Sequence, residues 1–273
     1  MQELAGKVAV ITGGAGLLGR GMARTFAREG MSVVVADIAP ERVAETVREV
    51  EQLGARALGV PTDVTRPEAM EALAAAAWSA FGQVNLLCLN AGLSIRKPFE
   101  DLTRADWDAV LGVQLGGVLN GVLAFLPRLI AQGGDRHILV TSSMSGVGRA
   151  DLRSLNAPYV TAKFATVGLS EVMQPSMAEH GIGVSVLCPG MTVADPATAR
   201  QTATWPMPSA AWYQDNLMDA DEVAREAVCG IRENRLHIFP QRLGRGEVEG
   251  RHARLMQGFD QADLTSPAVV PAA

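Results

Sequence analysis

The chain has 273 residues, 48% of them hydrophobic and 19% charged, which is enough apolar material to bury a large core in one domain and excludes a disordered chain. Its formal net charge of −5 carries no block of Lys or Arg, which excludes nucleic acid and anionic membrane as natural partners. Cys88, Cys188 and Cys229 are scattered, each in an apolar run, and read as buried free thiols of a reducing, cytoplasmic compartment; the four histidines show no ligand spacing and predict no metal.

The amino terminus runs almost at once into Lys7 to Thr12, a β-branched segment without clean alternation, as expected for a strand covered on both faces; it leaves no room for a signal segment. Thr12 to Gly19, Thr-Gly-Gly-Ala-Gly-Leu-Leu-Gly, follows directly, and then a helical pattern through Met22, Ala23, Phe26 and Ala27. Strand, glycine turn and helix in that order form a cradle for a dinucleotide pyrophosphate, since glycine lets backbone approach the phosphates and the helix start offers free N–H groups. Gly13, Gly16, Leu17, Leu18 and Gly19 are its candidate residues. Asp37 closes the next apolar run, Ser32 to Ala36, where a carboxylate can accept the adenosine ribose hydroxyls and repel a 2′-phosphate. NAD is therefore expected over NADP, with Arg20 the nearby cation that weakens the preference.

Further along, the pattern predicts a helix over 40–53, a strand over 55–60, a helix over 67–81, a strand over 84–89 and a long helix over 107–130. Trp107, Leu111, Leu115, Val118, Val122 and Leu126 recur on that long helix at helical spacing, a stripe for the core or for a subunit contact. Gln114 and Asn120 interrupt it and Arg128 closes it, which suits a buried helix better than a membrane span. A strand over 137–141, a helix carrying Tyr159, a strand over 183–187, a helix over 220–233 and a strand over 236–239 complete the alternation. The expected fold is a doubly wound parallel sheet of about seven strands, one Rossmann-type α/β domain over 1–265 with a tail over 266–273.

Tyr159 and Lys163 stand four apart and share a helix face behind Pro158, a residue suited to a first turn. At an effective dielectric of about 20, a cation about 4 Å from a phenol interacts with it by about 4 kcal/mol, enough to draw the phenol well down toward neutrality. Alone, such a pair marks only a helix face. Together with the glycine turn, Asp37, Asp63, the Asn-Ala-Gly of Asn90, Ala91 and Gly92, and Ser143, the ordered set resembles the short-chain dehydrogenase/reductase superfamily, single-domain branch, over roughly residues 4–239.

That resemblance implies a role for each residue. Asp63 and Val64 would lie near the adenine, Asn90 to Gly92 would line the cofactor cleft, and Pro189, Gly190 and Thr192 would close it after the sixth strand. Ser143, with Ser142 its nearest competitor, would hold the substrate oxygen, Tyr159 would act as acid and base, and Lys163 would bind the nicotinamide ribose and lower the Tyr159 pKa, assisted by the positive ring of the oxidised cofactor. Three positions depart from the family pattern. Leu17 stands for the middle glycine, Gln114 stands where the family has an Asn behind the Lys, with a shifted proton relay as its expected role, and Ala194 stands for a Thr, with Thr192 as substitute. Residues 191–218, rich in Trp, Met and Pro, read as a lid over an apolar pocket, with Arg149, Asp151 and Arg153 near its mouth. The implied activity is NAD-dependent interconversion of a hydrophobic or aromatic secondary alcohol and its ketone in a homodimer or homotetramer. An NADP-dependent carbonyl reductase and a catalytically weak nucleotide sensor are the alternatives.

Overall fold

The computed structural model describes residues 1–148, 155–194, 217–241 and 244–261. Strand β1 (Val8–Thr12) turns Val8 and Val10 to one face of a sheet and Ala9 and Ile11 to the other, and both faces are buried. Around it lie β2 (Ser32–Asp37), β3 (Ala57–Pro61), β4 (Leu86–Leu89), β5 (Arg136–Thr141) and β6 (Ile182–Leu187). Two short strands, β7 (Thr192–Val193) and β8 (Met218–Asp219), pair separately, and β9 (His237–Ile238) closes the main sheet. The seven strands of the main sheet run parallel in the order β3-β2-β1-β4-β5-β6-β9. Strand order reverses between β1 and β4, so a crevice opens at their carboxyl ends, where a ligand of such a sheet binds.

Helices α1 (Leu17–Arg28), α2 (Pro40–Gln52) and α7 (Ala220–Arg232) cover one face around Phe26, Val33, Val35 and Val228. The other face is covered by α3 (Pro67–Phe81), α5 (Gly117–Gln132) and α6 (Ala157–Ala178) around Val34, Leu73, Phe125 and Met177. The long predicted helix exists, as α4 (Arg104–Leu111) running through a π turn (Gly112–Gly116) into α5. Its extra residue rotates the helix that follows. Of the predicted stripe, Val118 is buried with Ala124, Phe125 and Leu129, Val122 and Leu126 pack half-buried against that core, and Trp107, Leu111 and Leu115 are half-buried. Arg104–Gln132 is long and apolar enough to cross a membrane by length and composition, and its inner side packs on α3 and the sheet.

Two features differ from expectation. Cys229 is exposed on α7, while Cys88 and Cys188 are buried. A helix α8 (Arg245–Asp260) lies beyond β9, with no fully buried residue, so its pattern lacks the apolar stripe that would have marked it. Most of the expected lid, Arg149, Asp151 and Arg153, and the 266–273 tail lie outside the described residues.

Strand β5 buries two basic residues side by side. Arg136 is satisfied by carbonyls at two helix ends, with Nη1 donating to Leu129 O at 2.7 Å and Nη2 to His180 O at 2.8 Å. His137 has no such compensation. Its Nε2 lies 2.8 Å from Ser185 Oγ, whose own proton goes to Arg235 O at 2.5 Å, so Nε2 is the protonated nitrogen and the buried Nδ1 has no partner among the described residues. Burial pushes the imidazole pKa down to about 3. An unfolded chain takes up this proton near pH 6.5 while the folded one does not, so stability falls as pH drops through that window, by roughly 2 kcal/mol between pH 6.5 and 5. Urea denaturation of wild type and His137→Gln should therefore give stabilities that converge as the pH falls from 6.5 to 5; parallel curves would remove His137 as the acid-sensitive group.

Candidate active site

The glycine turn is shaped by contacts that leave no room for side chains. Gly13 has φ +62°, and a Cβ there would sit 2.7 Å from Ala91 Cα; a Cβ on Gly19 would collide with the Gly13 carbonyl oxygen. Gly16 is the N-cap of α1 without a side-chain bond, so the first amides of the helix face the crevice with Leu17 exposed at its rim. Asn90 locks this turn to the sheet. Its Nδ2 donates to Thr12 O at 3.1 Å and Gly13 O at 3.3 Å, while its Oδ1 accepts from Thr141 Oγ1 at 3.1 Å. The Thr12 hydroxyl accepts the Asn90 and Ala91 amides in return.

Asp37 ends β2 beside the turn. One carboxylate oxygen accepts the Ala15 amide at 3.1 Å and the other the Ala39 amide at 3.3 Å. Arg20, the cation singled out from the sequence, is turned away into ion pairs with Glu49 and Glu45. The cation at the turn is Arg42, whose Nη2 donates to Ala15 O at 2.6 Å. Arg42 is not apparent from the residues of the turn or those just after Asp37, because it lies five residues on, where the first turn of α2 folds back over the cradle. Asp63 caps its own loop by accepting the Thr65 amide at 2.9 Å and hydroxyl at 2.7 Å. Val64 is buried against Gly117, and its carbonyl accepts Asn120 Nδ2 at 2.9 Å, which gives the polar interruption in α5 a use.

On the other side of the crevice, α6 brings Tyr159 and Lys163 together beneath the end of β5. Lys163 is 3% exposed, its Nζ donates to Thr141 O at 2.7 Å and lies 5.4 Å from the Tyr159 ring centre. Ser142 and Ser143 separate cleanly. Ser142 is buried and donates to Lys163 O at 2.9 Å, holding α6 to the sheet, whereas Ser143 is half-exposed in extended backbone and hydrogen-bonds toward Tyr159. Ser143 Oγ also lies 3.5 Å from Pro189 O, and the Met144 amide donates to that same carbonyl at 2.9 Å.

The electrostatics correct one expectation. Burial raises the Tyr159 pKa, the Ser143 hydrogen bond opposes this, and the ammonium expected to lower it is itself pushed down to about 7 by burial. Estimating the attraction from a cation alone omits the cost of desolvating that cation. Buried Cys188 below them is driven up to about 12 by desolvation, which makes it an inert neutral neighbour.

Gln114 sits in the π turn and points at the Asn90–Gly92 side of the crevice. Its Nε2 donates to Leu93 O at 2.8 Å, and its Oε1 is buried without a partner among the described residues, packed near Gly92. Thr192, on β7, likewise has a buried hydroxyl with no partner among the described residues, while Ala194 is exposed. These orphaned acceptors and donors face the same side of the molecule as the glycine cradle and Lys163, which uses only one of its three N–H donors on a described residue.

The short chain dehydrogenase family model matches residues 7–205. A C alpha-dehydrogenase of Sphingobium sp. is 34% identical over 254 residues, 88% of this chain and 82% of that protein. The oxidoreductase UcpA of Escherichia coli is 33% identical over 236 residues, 86% of this chain and 84% of that one. Among solved structures, a short chain dehydrogenase/reductase from Burkholderia phymatum in complex with NAD is 31% identical, with a TM-score of 0.82 over 99% of this chain and 100% of that one. This chain belongs to the short-chain dehydrogenase family and is an oxidoreductase that uses a nicotinamide cofactor. Its residues fit such a cofactor: a cradle that a Cβ would fill, free helix amides, an acidic group at the end of β2, polar atoms of Gln114 and Thr192 without a partner among the described residues, and a Lys163 ammonium that spends one N–H on a described carbonyl.

Asn90 joins the turn, β1 and β5 through one side chain. Replacing it with Ala should lower unfolding stability by about 1–3 kcal/mol and weaken NADH binding in a fluorescence titration at least tenfold; unchanged affinity would separate the cradle from this bond network.

Proposed function

We propose that the enzyme is NAD-dependent and interconverts a hydrophobic or aromatic secondary alcohol and its ketone. The observation that carries this reading is the convergence of Ser143, Tyr159 and Lys163 at the carboxyl end of β5, across the crevice from the glycine cradle. The cradle residues Gly13, Gly16, Leu17, Leu18 and Gly19 would hold the pyrophosphate and Asp37 the adenosine ribose. Asp63 and Val64 would flank the adenine; Asn90, Ala91 and Gly92, with Pro189, Gly190 and Thr192, would line the nicotinamide half. In oxidation Tyr159 as phenolate would take the alcohol proton while Ser143 would hold the same oxygen; a bound oxidised nicotinamide would supply the hydride acceptor for the C–H electron pair. Lys163 would hold the neighbouring ribose hydroxyls with its open N–H donors. Gln114 Oε1 would accept a proton-carrying water behind it, in place of the family's shorter amide.

The name of the Sphingobium relative, a C alpha-dehydrogenase, supports oxidation at a carbon centre. The Trp-, Met- and Pro-rich composition of residues 191–218 supports a greasy substrate. Exposed Leu119 and Leu123 on α5 and Val172 on α6 support a homo-oligomer. The Asp37 carboxylate supports NAD, because a 2′-phosphate would meet it, and the NAD complex of the Burkholderia relative agrees. Arg42 is the specific observation that favours a second reading, in which NADP is also accepted.

Three measurements check this. Absorbance of reduced nicotinamide over a panel of secondary alcohols should find turnover in the wild type, and Tyr159→Phe should lower kcat by at least a thousandfold with NADH affinity kept within threefold. Because burial raises the Tyr159 pKa, the phenolate is scarce at neutral pH. Oxidation, which needs it, should speed up as pH rises, and reduction, which needs the phenol, should slow. Asp37→Ser should raise the NADP/NAD ratio of kcat/KM at least tenfold, and adding Arg42→Ala should reverse most of that gain.

A further inference from the structure

Beyond β9 the chain leaves the sheet and passes beneath the loop that follows β6, and there it places Gln241, a side chain only 6% exposed. Both ends of its amide are engaged. Oε1 accepts the Gly190 amide at 2.7 Å and Nε2 donates to Met191 O at 3.2 Å, so one side chain grips two successive residues of the loop from some fifty positions away. Gly190 makes the approach possible, since a Cβ there would sit 3.1 Å from Gln241 Oε1 and 3.2 Å from its Cδ. The residue just before the gripped pair is Pro189, whose carbonyl receives the Met144 amide at 2.9 Å and faces Ser143 Oγ at 3.5 Å. The Met191 carbonyl also receives the Met218 amide of β8 at 3.3 Å.

The same segment braces the site a second time. Three residues beyond Gln241, Gly244 starts α8 against Met144, and Val248 packs with Val147 onto the cluster of Met144, Val167, Val186 and Cys188 under Ser143. Arg251 then stacks 4.8 Å from the ring of Phe164, next to Lys163.

We propose that Gln241 is a positioning residue for Ser143: it sets the height of the Pro189 carbonyl and so the orientation of the serine hydroxyl toward the substrate oxygen. It rests on the dehydrogenase reading above. The loop is also tied to β8 and to Met144, so losing the Gln241 amide would let Pro189 shift without releasing the sheet. A primary amide is the side chain suited to the task. It offers one acceptor and one donor on a common plane, which a carboxylate or an apolar isostere cannot supply.

The test uses the full-length enzyme and whichever alcohol and ketone the wild type turns over. Gln241→Leu, which keeps the volume and loses both bonds, should lower kcat for ketone reduction ten- to a hundredfold, with NADH affinity within threefold of wild type and an unchanged far-UV spectrum. Gln241→Glu should be as impaired at pH 8 and recover at least fivefold relative to wild type as pH falls toward 5.5, because the protonated carboxyl regains one donor beside its acceptor. In a Ser143→Ala background, Gln241→Leu should cost less than threefold. Equal losses with and without Ser143, or no recovery of Gln241→Glu at low pH, would reduce Gln241 to a packing clamp and overturn the proposal. If Gln241→Leu proves too unstable to assay, the Gln241→Glu pH profile decides alone. Absence of wild-type turnover on every alcohol and ketone would instead sink the dehydrogenase reading and the inference with it, an outcome distinct from an active wild type that ignores Gln241.

Discussion

A single ammonium group, almost sealed from solvent, sets the conditions for everything around it. Lys163 spends one proton on the Thr141 carbonyl at 2.7 Å, and Thr141 is the last residue of β5. Burying a charge costs several kcal/mol unless partners surround it, and one carbonyl is not enough. The lysine answers by becoming easy to deprotonate, with its pKa near 7. Its position is nonetheless held firmly, since the Ser142 hydroxyl donates to the Lys163 carbonyl and fastens that turn of α6 to the end of β5, while Thr166 on α6 itself donates to the same carbonyl. Position is rigid while charge is adjustable, which is the combination an acid/base site needs.

The sheet gives that lysine its counterpart. Thr141 bonds through its carbonyl to Lys163 and through its hydroxyl to Asn90, and Asn90 reaches across to the carbonyls of Thr12 and Gly13. One continuous set of hydrogen bonds thus joins the proposed proton-transfer half to the glycine cradle at the point where strand order reverses. Parallel strands that end at the same level make the link short. The helices on the two faces then serve different ends: α1 offers its free amides to the crevice, and α6 offers side chains.

Much of this was legible in the sequence because it rests on local rules. Seven strands appear where β-branched runs were found, and Pro40, Pro67 and Pro158 stand in the first turns of their helices as expected. What escaped depended on contacts between distant segments or on counting errors of a single residue. The single π turn at Gln114 inserts one extra residue that a period assumed constant at 3.6 does not mark, and Ala124, Phe125 and Leu129 join Val118, Val122 and Leu126 on the core side of α5. Arg42 and Gln241 look like ordinary surface residues in sequence and acquire meaning only when α2 and the segment after β9 fold back onto loops. Helix α8 packs on the molecule through Val248 and Arg251 and carries exposed Leu255, Met256 and Phe259, so no one-sided pattern announces it.

The sign of the Tyr159 shift is the most instructive departure. A lysine beside a tyrosine, assisted by the positive ring of an oxidised cofactor, suggests a lowered phenol, yet the free protein holds a raised phenol beside a lysine of nearly balanced charge. Neutral partners are far less costly to bury than an ion pair, so the crevice can be dry and well packed before anything binds. On the proposed reading, the ribose hydroxyls and the positive ring of oxidised NAD would then favour the ammonium and the phenolate together. The acid/base pair would be charged only when the hydride acceptor is in place. Coupling the two spares the free enzyme the cost of a buried charge and ties proton abstraction to the presence of the group that must receive the electrons.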